Sequence, residues 1–127
     1  MSHRVAILIP CYNGGKWIAN AVQSALDQRF LTSDGLLERF EVIVRDNGST
    51  DGTQAVLHEL SGRLRDTRLI VHYGEHVGGV AESFQAVLDT TDAEFVAFMG
   101  CDDTIDPDYL QRVMARFKAK PSAVMVG

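Results

Sequence analysis

The stretch FVAFMGCDD, Phe95 to Asp103, decides how this chain folds and where its chemistry sits. Five apolar, β-prone residues, Phe95 to Met99, run without a break and stop at Gly100, and Asp102 and Asp103 follow almost at once. Such a run reads as a strand buried on both faces, as in a parallel sheet covered by helices. Chain direction then places both aspartates at the strand's carboxyl end, where open α/β sheets bind ligands. Two like charges ~4 Å apart at an effective dielectric of about 20 repel by roughly 4 kcal/mol. A cation offsets that repulsion, and an all-oxygen ligand set suits a hard ion such as Mg or Mn. The competing reading is a polar turn that caps the next helix, and this stretch by itself leaves both open.

Upstream, Val5 to Ile9 is a second continuous apolar run and reads as the first strand, ended by Pro10, which cannot donate to a ladder. CYNGG follows, its glycines permitting a tight turn. A helix is expected over Lys16 to Gln28, with Ile18, Ala21, Val22, Ala25 and Leu26 on one stripe. Phe30 to Arg39 has no period and reads as a surface loop. Phe40 to Val44 is the second strand, running into RDNGSTDGT, a dense turn signal with several helix caps among Ser49, Thr50 and Asp51. The next helix carries Val56, Leu57, Leu60 and Leu64, and Arg68 to His72 is the third strand. Glu75 to Gly79 is a loop, and Val80, Phe84, Val87 and Leu88 mark a third helix.

Downstream of the aspartates, Asp106 and Pro107 suit the N-cap and first turn of a helix whose buried face is Leu110, Val113, Met114 and Phe117. Pro121 ends it, and Ala123 to Val126 begins a fifth strand. Strand and helix thus alternate four times before a last strand, which specifies an α/β fold: a doubly wound, mostly parallel sheet with helices on both faces. Residues 1–127 read as one domain. The last strand leaves an edge open to pairing with another chain, so the expectation is the front portion of a longer protein or a shortened chain.

Composition narrows the function classes. The chain has 127 residues, 46% of them hydrophobic, which supports a real core. Net charge is −5, with no basic cluster beyond Lys118 and Lys120, which argues against nucleic acid as a partner. Val5 to Ile9 is too short for a signal peptide or a membrane span, so a cytoplasmic protein is expected, with peripheral attachment at the inner membrane face left open. Cys11 and Cys101 form neither a CxxC pair nor a zinc spacing and read as free thiols. They become neighbours if their strands are adjacent. His72 and His76 carry no ligand motif and read as ordinary surface residues.

No GxxxxGK[ST] is present, so the aspartates are not half of a P-loop site, and no GxGxxG follows the first strand. A phospho-acceptor domain would place acids after its first strand, where this chain is neutral. What remains is three loops on one edge of the sheet: CYNGG, RDNGSTDG and GCDD. They bring together an aromatic ring (Tyr12), polar acceptors (Asn13, Asp46, Asn47), glycines and the Asp102–Asp103 pair. A nucleoside diphosphate needs a ring to stack its base, polar groups for the base edge and a cation for the pyrophosphate, and the set fits.

The segments VAILIPCYNGGKWIANAVQSALDQ (5–28), FEVIVRDNGSTDGT (40–53) and FVAFMGCDDTIDPDYL (95–110) together resemble the family 2 glycosyltransferases, whose fold is the Rossmann-like, A-type nucleotide-diphospho-sugar transferase fold. The resemblance covers nearly the whole chain. It implies a first strand lying beside the fourth at the topological switch point, with the Tyr12 loop next to the Asp102–Asp103 loop. It further implies donor binding by Pro10, Tyr12, Asn13, Asp46, Asn47 and Asp102. Tyr12 would stack on the base, Asn47 would hydrogen-bond it, Asp102 would contact the ribose, and Asp103, with Asp102, would hold Mg or Mn on the diphosphate. The implied reaction is metal-dependent transfer of a sugar from a nucleotide-diphospho-sugar, a UDP- or dTDP-sugar, to a carbohydrate or lipid-linked acceptor with inversion, as in polysaccharide biosynthesis.

Three departures bear on that expectation. The family's acidic pair at the end of the second strand is Asp46-Asn47, and an amide can donate as well as accept. The acidic residue often found two positions before Asp102 is Gly100. The family's general base and acceptor-binding elements lie beyond Gly127. These departures leave room for a rival, a catalytically silent nucleotide-sugar-binding or assembly module on the same fold. Nucleotidyl transfer ranks lower, because the Gly- and Arg/Lys-rich triphosphate loop it needs is missing.

Overall fold

The computed structural model describes residues 4–119, so the expected fifth strand at 123–126 lies outside the described residues. Four strands and four helices alternate: β1 (Val5–Cys11), α1 (Ile18–Leu26), β2 (Glu41–Asn47), α2 (Thr53–Leu64), β3 (Leu69–Gly74), α3 (Val80–Leu88), β4 (Phe95–Phe98) and α4 (Tyr109–Ala119). The strands form one parallel sheet in the order β3-β2-β1-β4. The chain steps outward from β1 to β3 and then returns to the other side of β1, so the order reverses between β1 and β4.

Period-two alternation sorts the side chains onto two unequal faces. Val5, Ile7, Ile9 and Cys11 of β1 and Val42 and Val44 of β2 point to one face, where Ile18, Val22, Leu57, Leu60, Leu110 and Met114 of α1, α2 and α4 cover them. The opposite face is thinner: Ala6, Leu8 and Ile43 pack on Val87 of α3. Each fully buried Ile, Leu or Val contributes about 1.5–3 kcal/mol of apolar burial. Helices on both faces are the doubly wound arrangement expected from the alternation.

The differences from the sequence reading have local causes. Pro10 lies inside β1 rather than after it, opposite Arg45 of β2. Leu8 accepts from Met99 N on the β4 side. Backbone groups two residues apart point the same way, so the missing Pro10 N–H faces β4, where the pairing ends at Leu8–Phe98. The second strand runs three residues beyond Val44, because Asp46 and Asn47 pair with Tyr73 and Gly74 of a β3 that also runs longer.

The Phe95–Met99 run is not buried on both faces. Among the described residues β4 pairs with β1 alone; Phe95, Val96 and Ala97 are half-buried, and Phe98 is 41% exposed beside the edge of the Phe84 ring. The fully covered strands are β1 and β2. Regular α4 begins at Tyr109, after a turn in which Tyr109 N donates to Asp106 O, so Asp106 and Pro107 sit one turn ahead of the helix. No helix among the described residues is long and apolar enough to cross a membrane.

Candidate functional site

All four strands point their carboxyl ends the same way, and the loops that follow them meet at one edge. The buried end of β2 organises three of these loops. Asp46 and Asn47 are consecutive, so their side chains go to opposite faces. Asp46, fully buried, accepts from Ser49 N (3.1 Å) and Ser49 Oγ (2.5 Å) and from Gln54 Nε2 of α2 (2.9 Å). Asn47 is 2% exposed. Its Oδ1 accepts from Val77 N (2.9 Å) and Arg45 Nη1 (3.3 Å), and its Nδ2 donates to Ser83 Oγ on α3 (3.0 Å).

From Ser49 the tie extends to the first loop. Asn13 N donates to Ser49 Oγ (2.9 Å), and Thr50 N donates to Asn13 Oδ1 (2.8 Å). Asn13 adopts a left-handed φ of 52°, a conformation that asparagine tolerates better than most residues. The turn itself needs Gly48: its φ is 70°, and a Cβ there would stand 2.8 Å from His76 N. Ser49 and Thr50 therefore brace loops, whereas Asp51, which accepts from Thr53 N (3.0 Å) and from the Thr53 hydroxyl, starts α2. That hydroxyl bond is the main cause holding the Asp51 carboxyl below its ordinary range.

Tyr12 stands 45% exposed at the end of β1, its ring tilted against His76 with centroids 4.6 Å apart. His76 Nδ1 lies 3.4 Å from Asn47 O. The loop after β3 is thus a fourth part of the edge, and His76, exposed as expected, adds a ring contact with Tyr12. Topology alone could have found it, since that loop also follows a parallel strand; the lack of a metal-ligand spacing drew attention away.

Across the switch point, Cys11 and Cys101 close on Gly14. A Cβ on Gly14 would lie 2.6 Å from Cys101 Sγ and 2.9 Å from Cys11 Sγ. The two thiols are hydrogen-bonded to each other, which together with burial pushes the Cys11 thiol up. The same bond, joined by one from the Tyr12 backbone, brings Cys101 down to about 7. The Tyr12 loop and the GCDD loop are therefore in contact, as the resemblance implied.

Asp102 and Asp103 are exposed, and both fold back over Gly100. The position a Gly100 Cβ would take is 2.8 Å from Asp103 Oδ2 and 3.0 Å from Asp102 Oδ1, so one oxygen of each carboxylate converges on the same point. Asp103 Oδ2 also accepts from Gly100 N (3.1 Å), which closes the turn. Asp103 shapes this turn rather than capping α4, and the turn brings one oxygen of each carboxylate to one spot. A side chain at Gly100 would push them off it.

Among the described residues no cluster of three or more His, Cys, Asp or Glu side chains could enclose a metal ion. Two converging carboxylates open to solvent fit a different case. Mg2+ is commonly bound through one or two carboxylates together with water and substrate phosphates rather than by an all-protein cage. The donor set present suits such an ion.

Of the residues expected to bind a donor, Tyr12, Asn13, Asp102 and Asp103 reach the surface of this edge, and Pro10 is half-buried beneath it. Asp46 and Asn47 do not reach it. Both are enclosed beneath it and direct their polar atoms to loop backbone and neighbouring side chains. A cavity of about 750 Å³ lies at the other end of the sheet, lined by residues such as Arg4, Phe40, Glu41 and Arg68, away from all of these groups.

Comparison with known proteins agrees with this architecture. The model of glycosyl transferase family 2 matches residues 6–127. The glycosyltransferase GlyG of Streptococcus pneumoniae is 24% identical over 127 residues, all of this chain and 39% of its own length. Staphylococcus aureus TarS, solved as residues 1–349 in complex with UDP-GlcNAc, superposes with a TM-score of 0.72 at 26% identity, over 91% of this chain and 31% of that one. The mannosyltransferase PcManGT of Pyrobaculum calidifontis, solved with GDP-Man and Mn2+, has a TM-score of 0.78 at 23% identity, over 100% of this chain and 34% of its own, and shows the shared fold. The fold is that of the A-type glycosyltransferases. This chain belongs to glycosyl transferase family 2, and spans well under half the length of these relatives.

Proposed function

We propose that this chain is the donor-binding portion of a glycosyltransferase that moves a sugar from a nucleotide-diphospho-sugar to a carbohydrate or lipid-linked acceptor. The observation that carries the reading is the convergence of Asp102 and Asp103 over Gly100, on a loop that meets the loop of the exposed Tyr12 where Cys101 closes on Gly14. The TarS complex, which holds UDP-GlcNAc, lends support to a UDP-type donor.

In this reading Tyr12 offers its face to the base, with His76 behind it fixing the ring's tilt. Asn13 and Pro10 shape the floor of the loop. Asp102 accepts from the ribose hydroxyls, and Asp103, with Asp102, would hold Mg2+ or Mn2+ together with the diphosphate oxygens. A cation bound there supplies Lewis-acid stabilisation of the departing nucleoside diphosphate. Asp46 and Asn47 act as positioning residues: through Ser49 and Val77 they set where Asn13 and His76 stand. Inversion at the sugar requires a base to take the acceptor's proton, and we assign none among the described residues. The proposal treats residues 1–127 as part of one donor domain, working in the cytoplasm at or near the inner membrane face.

A silent binding or assembly module is the second reading, favoured by Asn47 and Gly100 standing where the family carries acids. Donor hydrolysis by the full-length protein separates the two. Turnover of a UDP-sugar above background, abolished in Asp103→Ala, is the expected result. Tight nucleotide binding with no turnover toward a panel of acceptors would favour the silent module.

A further inference from the structure

Cys11 and Cys101 have no part in donor binding, yet they sit at the junction on which it depends. The β1–β4 pairing ends at Leu8–Phe98, and past it the turn that carries Cys101 folds over the end of β1, so that the Cys11 and Cys101 sulfurs lie 2.9 and 2.6 Å from the position a Gly14 Cβ would take. The sulfurs face each other across the space left by Gly14, where any larger residue would meet both. Both cysteines are free thiols in this structure.

We propose that this pair is an oxidation site, at which a peroxide joins Cys11 to Cys101 in a reversible disulfide that weakens nucleotide binding at the neighbouring loops. The second half of the proposal rests on the donor-site reading above. Exposure orders the chemistry. Cys101 is half-buried and Cys11 is 1% exposed, so the peroxide meets Cys101. The Cys101 sulfur attacks one peroxide oxygen and breaks the O–O bond, forming a sulfenic acid and releasing water. The Cys11 sulfur then attacks the Cys101 sulfur, the S–O bond breaks, and the hydroxyl leaves with the Cys11 proton as a second water. In sum two thiols and one peroxide become one disulfide and two waters, with both sulfurs oxidised and the peroxide reduced. A buried partner in contact with the first sulfur favours this closure over further oxidation. In a reducing compartment such a bond is transient, as redox-sensing disulfides are.

The effect on binding follows from the chain. Asp102 is the residue after Cys101, and Tyr12 is the residue after Cys11. Gly14 O accepts from Trp17 N (3.0 Å) and Ile18 N (2.9 Å), which begin α1. An S–S bond of about 2 Å ties the two sulfurs together, so the residues that follow them, Asp102 and Tyr12, lose the freedom to adjust to a ligand between their loops.

The test treats the full-length protein with stoichiometric hydrogen peroxide, reads intact mass and mapped peptides, and then titrates UDP in MnCl2. Expected are a loss of two hydrogens, a Cys11–Cys101 cross-linked peptide, UDP affinity at least ten-fold weaker, and recovery of both with dithiothreitol. In Cys101→Ser, and separately in Cys11→Ala, peroxide leaves UDP affinity unchanged. Oxygen adducts on Cys101 without a cross-link, or a cross-link with unaltered UDP affinity, would overturn the proposal. If the reduced protein binds no UDP, the donor-site reading fails and the effect on binding fails with it, while the mapped peptides still decide the disulfide.

Discussion

Two adjacent pairs of short polar residues end two strands of this sheet, and they have opposite fates. Asp46-Asn47 closes β2, which is flanked by β1 and β3, so both side chains are enclosed and every polar atom is spent on the protein itself. Asp102-Asp103 follows β4, which pairs with β1 alone among the described residues, and its carboxylates stay open and converge. Similar chemistry at the same edge thus does two jobs. The inner pair sets loop positions, and the outer pair is left open to solvent. The lesson is that position in the sheet, rather than residue type, decides which acids are enclosed and which stay open to solvent.

This contrast can be broken most forcefully at the inner pair. Asp46→Ala leaves the half-buried Ser49 N and Oγ without their charged acceptor, and a hydrogen bond to a charged group contributes about 1.5–3 kcal/mol. Urea denaturation is expected to show a loss of about 3 kcal/mol; a loss within the ordinary surface range of about 0.5 kcal/mol would mean Asp46 is not the brace. Gly48→Ala comes next. It forces a left-handed φ on alanine and brings its Cβ to 2.8 Å from His76 N, so a destabilisation of about 2 kcal/mol is expected.

Asn47→Asp sharpens the comparison. A carboxylate still accepts from Val77 N, and the Ser83 hydroxyl can turn to donate, so stability should change by less than about 1 kcal/mol. A larger loss would show that the amide is required and that the chain has diverged from an acid at this position. The outer pair gives the smallest effect on folding. Asp102→Asn with Asp103→Asn keeps an acceptor for Gly100 N and removes two exposed charges, so the urea midpoint should move by no more than about 0.5 kcal/mol in free energy.

Alternation of strands and helices and the order of the loops were legible before any coordinates, because period and chain direction fix them, whereas the contact between the first and fourth strand ends was legible only through the family resemblance. Burial was harder to read. Phe95 to Met99 is as apolar as Val5 to Ile9, but an apolar run does not reveal whether a strand has neighbours on both sides. Asp46 and Asn47 look like turn residues from composition, and only the pairing with β3 draws them into the strand. His76 was missed because its partner, Tyr12, lies far away in sequence and the contact is made by rings rather than by a motif. Pro10 misled in the opposite sense: the rule that proline ends a strand fails where the ladder on its donor side has already ended.

The central claim is that the outer carboxylates hold a divalent ion on a nucleoside diphosphate. Calorimetric titration of UDP into the full-length protein tests it most directly, with MnCl2, with EDTA, and with MnCl2 in Asp103→Asn. The account predicts binding in MnCl2 that weakens at least ten-fold both with EDTA and in the variant. Equal affinity under all three conditions would contradict it.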